Sequence, residues 1–323
     1  MTGRVIITGA NGFIGRHLVA ELLLAGQDVC AVVRSGRAAD SIPEGARIAL
    51  VNDPHCVERW IDAFADCDFV IHLIGLSHSS ARAEGDRIEA FREVNVHITS
   101  CVLKACLQTG VRRLIYLSSV KAIGEGIAEP YTEMSECSPE NPYGRTKREA
   151  ELLILDRTRD APIEASILRS PIVYGPGVRG NVARILRLVR SRLPLPIRCL
   201  KARRSIVYVR NLTDAIRYMV ESRTPVEGIY HVTDAENSLS ARQLFRELAS
   251  SMDRKVLEVP IPSSFLRLVG RMIGLSDEVD RLTRSLTIRG TRLQDELGWL
   301  APYPMRNGLE RTARWFLDHQ GGG

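Results

Sequence analysis

Residues Arg4 to Gly15 read RVIITGANGFIG and decide the fold. The run from Arg4 to Thr8 is rich in β-branched residues and predicts a strand, and an amphipathic helix is predicted from Phe13 to Leu24. Between them lies a glycine-rich turn, which permits close backbone approach and leaves the helix N-terminus free to bind a pyrophosphate. We therefore expect dinucleotide contacts from six residues of this turn: Gly9, Asn11, Gly12, Phe13, Ile14 and Gly15.

Strand and helix patterns continue to alternate over the first half of the chain. Apolar runs predict strands at Asp28 to Val33, Arg47 to Val51, Asp68 to Ile74, Arg113 to Ser118 and Glu164 to Leu168. Helical patterns lie between most of them, at His55 to Phe64, Ile88 to Gln108 and Tyr143 to Thr158. This order predicts an α/β protein with a doubly wound parallel sheet, the Rossmann fold.

The pattern changes after Val173, where a turn-rich segment leads to an arginine-studded helix at Asn181 to Leu193. Strand-like runs at Ile206 to Val209 and Gly228 to Val232 are expected to complete the main sheet, and mainly helical patterns follow. We predict a dinucleotide-binding domain from residues 1–173, completed by about 206–234. Residues 174–205 and 235–320 are predicted to form a smaller C-terminal substrate-binding domain, with a cleft between the two.

The composition is that of an ordinary globular protein, with 323 residues and a net charge of +6. Its basic residues are scattered, which argues against nucleic-acid binding but suits a mildly positive field for an anionic substrate. No apolar run is long enough to span a bilayer, so no membrane role is expected. The seven cysteines show no metal-binding spacing, and their odd number favours a reduced, cytoplasmic protein without a metal site.

The end of the second predicted strand bears on the choice of cofactor. A carboxylate here, about 20 residues after the glycine turn, binds the ribose hydroxyls in NAD sites. This chain has Arg34 instead, which suits the 2′-phosphate of NADP, although Arg34 also fits a solvated strand end. NADP(H) is favoured and NAD(H) remains open. Asp53, after the third strand, is expected either to reach the adenine or to form a turn before Pro54.

A tyrosine and a lysine four residues apart begin one predicted helix, in Tyr143-Gly144-Arg145-Thr146-Lys147. That spacing places both side chains on one helix face. Free tyrosine has a pKa of about 10, so a nearby cation is needed to lower that pKa for acid–base work near neutral pH. Ser119, at the carboxyl end of a strand, is expected to hold a substrate oxygen beside Tyr143, or alternatively to cap the strand end.

The glycine turn, the serine and the YxxxK pair occur in the order found in short-chain dehydrogenase/reductases. The chain resembles the extended branch of that family along nearly its whole length, through TGANGFIG, DFVIHLIG, EVNVHIT, LIYLSSVKAIG, NPYGRTK, ILRSPIVYGPG and RRSIVYVRNLTDAI. The resemblance implies Ser119, Tyr143 and Lys147 as the catalytic set, with Tyr143 and Lys147 also at the cofactor and Asn95 supporting the lysine through water. It adds cofactor contacts from Leu73, Pro171 and Val173, and a homodimer built from the Asn95 and Tyr143 helices.

The family resemblance also narrows the reaction. Dehydratases of this branch usually carry Asp-Glu directly after the catalytic serine or threonine, whereas Val120 and Lys121 follow Ser119 here. The remaining readings are an NADPH-dependent 4-reductase and a 4-epimerase with tightly bound NAD. Several segments are most similar to bacterial UDP-sugar proteins of O-antigen and surface-polysaccharide pathways. The NADP preference favours reduction of a UDP-4-keto-6-deoxy-N-acetylhexosamine.

The resemblance also suggests where the nucleotide diphosphate binds. Asn181 and Arg204 match such positions, and a guanidinium suits phosphate oxygens, although Asn181 is equally suited to cap a helix. Arg281 or Arg284 is expected to add a second phosphate contact, and Lys121 either reaches the substrate or is a solvated charge. A non-catalytic NADP-binding scaffold is disfavoured, since such proteins typically lose the tyrosine or the lysine.

Overall fold

A computed structural model describes residues 3–77, 87–126, 129–234, 238–272, 279 and 283–320. The main sheet has seven strands, all paired in parallel. They are β1 (Arg4–Thr8), β2 (Asp28–Val33), β3 (Arg47–Leu50), β4 (Phe69–His72), β5 (Arg113–Ser119), β6 (Glu164–Ser170) and β10 (Gly228–His231). Their spatial order is β3-β2-β1-β4-β5-β6-β10, so the chain reverses its direction of travel between β1 and β4. A ligand crevice opens at such a switch point, outside the carboxyl ends of the strands.

Helices cover both faces of this sheet and bury an apolar core on each. They are α1 (Phe13–Leu24), α2 (Gly36–Ala39), α3 (Val57–Ala63), α4 (Arg87–Arg92), α5 (Ile98–Thr109), α6 (Pro142–Thr158) and α8 (Val209–Glu221). On one face α1 and α8 contribute Leu18, Leu22, Leu212 and Met219 to the core. On the other face α3, α5 and α6 contribute Trp60, Val102 and Ile154. The predicted α/β fold with a doubly wound parallel sheet is confirmed.

A second group of elements packs around its own core beyond β6. It contains β7 (Ile172–Tyr174), α7 (Gly180–Ser191), β8 (Arg203–Arg204), β9 (Ile206–Tyr208), β11 (Leu239–Ser240), α9 (Ala241–Ser250) and α10 (Ser263–Met272). Helices at Arg292–Leu297 and Met305–Gln320 follow, and the last of these packs on α9. Leu186, Phe245 and Phe316 are buried between these elements.

One strand prediction was wrong. Gly228–His231 joins the main sheet beside β6, as expected, but Ile206–Tyr208 pairs with Ile172–Tyr174 in a separate two-stranded sheet. The residue between β6 and β7 is Pro171, which has no N–H to donate to the main ladder. The chain therefore leaves the main sheet at Pro171, and the next strand finds a different partner.

The helix predicted at residues 88–108 is interrupted in the structure. Residues Glu93–His97 form a π-helical turn between α4 and α5, and Asn95 is fully buried in it. Such turns are rare and often mark functional sites. Along the described residues, no helix has the length and apolar character needed to cross a membrane.

Candidate active site

The glycine turn packs tightly, and two of its positions disfavour a side chain. A Cβ on Gly15 would lie 2.4 Å from the Gly9 carbonyl oxygen and 2.6 Å from that of Ala10. Gly9 has a φ of +70°, and a Cβ there would lie 3.2 Å from the carbonyl carbon of Leu73. The predicted contacts Gly9 and Leu73 are thus neighbours at the switch point, where β1 and β4 diverge.

The N-terminus of α1 is open to an anion. Its cap residue is Gly12, which offers no side-chain oxygen to the first N–H groups, and the first turn carries no acidic side chain. Helix N-terminal N–H groups without a capping oxygen bind phosphate oxygens readily. The backbone of Gly12, Phe13 and Ile14 therefore fits the pyrophosphate of a dinucleotide.

The predicted catalytic residues meet at the carboxyl end of β5. Helix α6 begins at Pro142, capped by Asn141, whose Oδ1 accepts a hydrogen bond from the Gly144 N–H at 2.8 Å. This cap directs Tyr143 back to the end of β5, where its hydroxyl hydrogen-bonds with Ser119. Burial raises the pKa of Tyr143, and the bond to Ser119 opposes that rise.

Lys147 lies one turn further along α6 and is buried. Its ammonium group donates to the Tyr116 hydroxyl at 3.1 Å and to the Leu117 carbonyl oxygen at 3.0 Å. Burial lowers the pKa of Lys147 to about 8, against the attraction of the Glu151 carboxylate. Burial dominates at Tyr143, so the lowering of its pKa by Lys147 stays a prediction.

A buried chain of hydrogen bonds links Lys147 to the glycine turn. The Thr99 hydroxyl donates its one proton to the Asn95 carbonyl oxygen at 2.8 Å. It must therefore accept the hydrogen bond that joins it to His72 Nε2 at 2.9 Å. His72 is therefore protonated on Nε2, and its Nδ1 accepts from Thr8 at 2.7 Å. Burial lowers the pKa of His72 to about 3, which keeps the ring neutral. A bond between Tyr116 and Thr99 continues the chain to the lysine.

Asn95 connects the π-helical turn to the other side of the lysine. Its Oδ1 accepts from the Leu76 N–H at 2.8 Å, and its amide donates to the Thr146 hydroxyl at 3.1 Å. A Cβ on Gly75 would lie 3.0 Å from Lys147 Nζ and 3.3 Å from Asn95 Oδ1. Asn95 is therefore beside Lys147, and Gly75, which the sequence did not single out, keeps the backbone close to both.

A buried ion pair that was not predicted lies beneath the same helix. Glu151 and Arg169 are both buried, and their carboxylate and guanidinium are joined by two bonds of 2.9 and 2.7 Å. The Ser118 hydroxyl also donates to Glu151, at 2.6 Å. Because Ser118 precedes Ser119, this pair fixes α6 to the end of β5 and thus Lys147 to Ser119.

A cavity of about 360 Å³ continues from the carboxyl end of the sheet into the second group of elements. Three residues predicted to contact the substrate, Lys121, Asn181 and Arg204, line it, and most of the remaining wall is apolar, with Ile172, Ile185, Leu188, Leu244 and Phe245. Lys121 forms an ion pair with Glu125. Asn181 is not the helix cap, since Arg179 is at the cap of α7, so its side chain lines the cavity from the first turn.

The remaining predicted residues lie apart from this cavity or beside the cofactor crevice. Arg34 is exposed directly after β2, and Asp53 is exposed in a turn where its Oδ1 accepts from the His55 N–H at 3.0 Å. Pro171 and Val173 follow β6, on either side of the point where the chain leaves the main sheet. Arg284 pairs with Glu140 at 3.1 Å, and Arg281 lies outside the described residues. The described residues contain no His, Cys, Asp and Glu cluster suited to a metal ion.

Comparisons with known proteins agree with this geometry. Residues 5–232 match the model of the NAD dependent epimerase/dehydratase family. The chain belongs to this family. It is 31% identical over 330 residues to the UDP-glucose 4-epimerase of Vibrio cholerae, covering 98% of this chain and 97% of that one. It is 26% identical to N-acetyl-alpha-D-glucosaminyl-diphospho-ditrans,octacis-undecaprenol 4-epimerase of Escherichia coli O157:H7, covering 99% and 97% of the two chains.

Two solved structures of similar proteins extend the agreement to three dimensions. MoeE5 in complex with UDP-glucose and NAD has a TM-score of 0.79 at 26% identity, covering 98% of this chain and all of that one. The UDP-glucose 4-epimerase of Thermus thermophilus in complex with NAD has a TM-score of 0.79 at 26% identity, covering 99% and 100%. The expected NAD(P)-dependent, oxidoreductase-type enzyme of the extended short-chain branch is confirmed.

Proposed function

We propose that the protein transfers a hydride at C4 of a UDP-linked sugar. The observation that carries this proposal is the hydrogen-bonded pair of Ser119 and Tyr143 at the carboxyl end of β5, two residues before Lys121, which lines a cavity together with Arg184 and Arg204. The pair supplies a donor and an acceptor for a sugar oxygen, and the cations suit a diphosphate. Curated relatives that act as 4-epimerases on sugars joined to a diphosphate support the substrate class.

A nicotinamide dinucleotide fits the residues at the switch point. The backbone of Gly9, Gly12, Phe13 and Ile14 would hold its pyrophosphate, since the N-terminus of α1 has no side-chain cap and no acidic residue in its first turn. Further contacts are assigned to Asn11, Asp53, Leu73, Pro171 and Val173, with Lys147 at the nicotinamide ribose. The bound cofactor supplies or accepts the hydride.

The protein residues handle the proton and the position of the sugar. The Ser119 hydroxyl holds the C4 oxygen, and Tyr143 gives a proton to that oxygen or takes one from it. The positive charge of Lys147 favours the phenolate form of Tyr143 once both act on the same ligand. Asn181, Arg204 and Lys121 bind the diphosphate, with a further contact assigned to Arg281. The elements that carry most of these residues, within 174–205 and 235–320, are the proposed substrate-binding domain.

Two net reactions share this chemistry, and one residue distinguishes them. Arg34 replaces the carboxylate typical of NAD sites, which favours NADPH and thus reduction of a UDP-4-keto-6-deoxy-N-acetylhexosamine for surface polysaccharide. The relatives' names and the NAD in their complexes favour the second candidate, a UDP-hexose 4-epimerase that retains NAD.

The test is to mix purified protein with NADPH and UDP-4-keto-6-deoxy-N-acetylglucosamine. Stoichiometric loss of NADPH with a reduced UDP-sugar product establishes the reductase. Interconversion of UDP-glucose and UDP-galactose, with NAD released only on denaturation, establishes the epimerase. Folded protein that does neither contradicts the proposal.

We also propose that the protein is a cytoplasmic homodimer that pairs α5 and α6 with those of a second copy. Leu107 on α5 and Leu152 on α6 are apolar side chains that are 38% and 50% exposed. Burying them against a second copy is favourable. Light scattering is expected to give twice the chain mass, and Leu152→Glu is expected to give the monomer.

A further inference from the structure

A second cleft lies on the other side of α7 from the substrate cavity. It is bounded by α1, by the loop from Pro176 to Gly180, by α7 and by the C-terminal helix, and it has a volume of about 770 Å³. Six of its residues carry basic or aromatic side chains: Arg16, His17, Arg179, Arg187, Trp315 and His319. We call it the basic cleft.

Among the residues that the structure describes, no acidic side chain offsets the positive charge of the basic cleft. Within the described part of the chain, no aspartate or glutamate lines it, and its three arginines form no ion pair. Elsewhere the arginines are commonly paired, as with Arg92 and Glu149 at 3.0 Å or Arg217 and Asp214 at 2.6 Å. A cluster of unpaired guanidinium groups in a concave site favours a bound anion.

The neighbouring histidine shows the same positive field. His17 is anchored by a bond between its Nε2 and the Pro176 carbonyl oxygen at 2.8 Å. Burial lowers the pKa of His17, and the charges of Arg210 and Arg16 lower it further against that bond. His17 therefore stays neutral and donates its proton to the loop, so the arginines are the fixed charges of the cleft.

The cleft also contains an aromatic surface. The rings of Trp315 and His319 are stacked, with centroids 5.2 Å apart and planes at 27°. Guanidinium groups bind phosphate oxygens in a planar fork, and an indole ring offers a face to a nucleobase. We propose that the basic cleft binds a diphosphate ligand, of the nucleoside diphosphate class, at a site distinct from the cofactor crevice and the substrate cavity.

A ligand in the basic cleft would be connected to the active site through α1 and α7. Arg16 is on α1, directly after the glycine turn, whereas Arg187 is on α7, whose Asn181 and Arg184 face the substrate cavity. A diphosphate bound to both arginines would tie α1 to α7. We expect it to change the KM for the sugar more than kcat, because it moves no residue of the Ser119 and Tyr143 pair.

The test measures binding of inorganic pyrophosphate to the NAD-saturated full-length protein by calorimetry and by tryptophan fluorescence. The double variant Arg16→Gln/Arg187→Gln is expected to weaken binding at this site by about tenfold or more. Arg204→Gln removes a cation from the substrate cavity and should leave this binding intact. Arg306→Gln is the surface control, since Arg306 is on the same C-terminal helix but pairs with Glu310.

Two results would overturn the proposal, and neither depends on the sugar reaction. One is the absence of saturable binding in the wild-type protein; the other is binding lost in Arg204→Gln and kept in the double variant. Thermal unfolding of each variant guards against misfolding, with the single exposed change Arg187→Gln as the fallback.

Repeating the titration with UDP in the Arg204→Gln variant identifies the source. If UDP binds more tightly than pyrophosphate and this gain is lost in Trp315→Leu, the ligand is a nucleoside diphosphate. If UDP and pyrophosphate bind equally, the ligand is inorganic diphosphate.

Discussion

The site beneath Lys147 and the cavity around Arg204 hold their polar groups in opposite ways. Beneath Lys147, buried side chains are bonded to one another in a directed chain that runs through Tyr116 and His72. Around Arg204, cationic side chains line the cavity among apolar ones. The first region is organised by bonds among its own side chains, whereas the second presents cationic groups to the cavity.

This contrast follows from which elements build each region. The hydrogen-bonded side chains beneath Lys147 belong to β1, β4, β5 and α5, which are covered on both sides and exclude water. A buried polar network of this kind is stable only when its members are bonded, so it fixes the chemistry. The cavity is built from β7–β9 and α7, outside the main sheet, where changes of side chain alter the substrate at little cost to the fold.

The largest expected effect comes from removing the proposed acid–base group. Tyr143→Phe should lower kcat by about 10²- to 10⁴-fold, because no other group replaces its proton transfer. Cofactor binding, measured by quenching of tryptophan fluorescence, should be unchanged. Turnover close to that of the wild type would remove Tyr143 from the mechanism.

The next effect tests the rigid glycine turn. Gly15→Ala places a methyl group 2.4 Å from the Gly9 carbonyl oxygen and should reduce the free energy of unfolding by about 1–3 kcal/mol, with loss of dinucleotide binding. Gly36→Ala is the matched control, because nothing lies within 4 Å of the added atom. Urea unfolding measures both, and equal stabilities would contradict the packing described for the turn.

A smaller effect is expected from the network that holds Lys147. Its pKa of about 8 predicts that kcat/KM falls as the pH rises above about 8, since the lysine loses its charge there. Tyr116→Phe removes an acceptor of the ammonium group, which lowers the pKa of Lys147 further. The fall in kcat/KM should therefore begin about one pH unit lower. Tyr230→Phe, remote from the site, is the control. If kcat/KM of Tyr116→Phe falls at the same pH as that of the wild type, Tyr116 has a packing role only.

The smallest effect concerns the exposed edge of the cofactor crevice. Arg34→Ala should reduce the preference for NADPH over NADH by about tenfold or less, because a solvated guanidinium is screened. Arg59→Ala, exposed on α3, serves as the comparison. Comparing kcat/KM for the two cofactors measures the change, and an unchanged ratio would mean that Arg34 does not bind the 2′-phosphate.

The sequence predicted the local parts of this site and missed the long-range ones. The glycine turn and the Tyr143–Lys147 pair were found because each is a short pattern within one strand–helix junction. The bonds of His72 to Thr8 and Thr99 join residues 64 and 27 positions apart, and no spacing rule reports them. The prediction that Ile206–Tyr208 joins the main sheet was wrong for a similar reason. Its pairing partner depends on the direction that the chain takes after Pro171.

The most direct test of the central claim follows the hydride itself. The protein would be incubated with NADPH that carries deuterium on the transferred position of the nicotinamide, together with UDP-4-keto-6-deoxy-N-acetylglucosamine. Nuclear magnetic resonance of the product should show deuterium at C4 of the sugar in the wild type and almost none with Tyr143→Phe. Deuterium at another carbon, or a product formed without it, would contradict hydride transfer to C4.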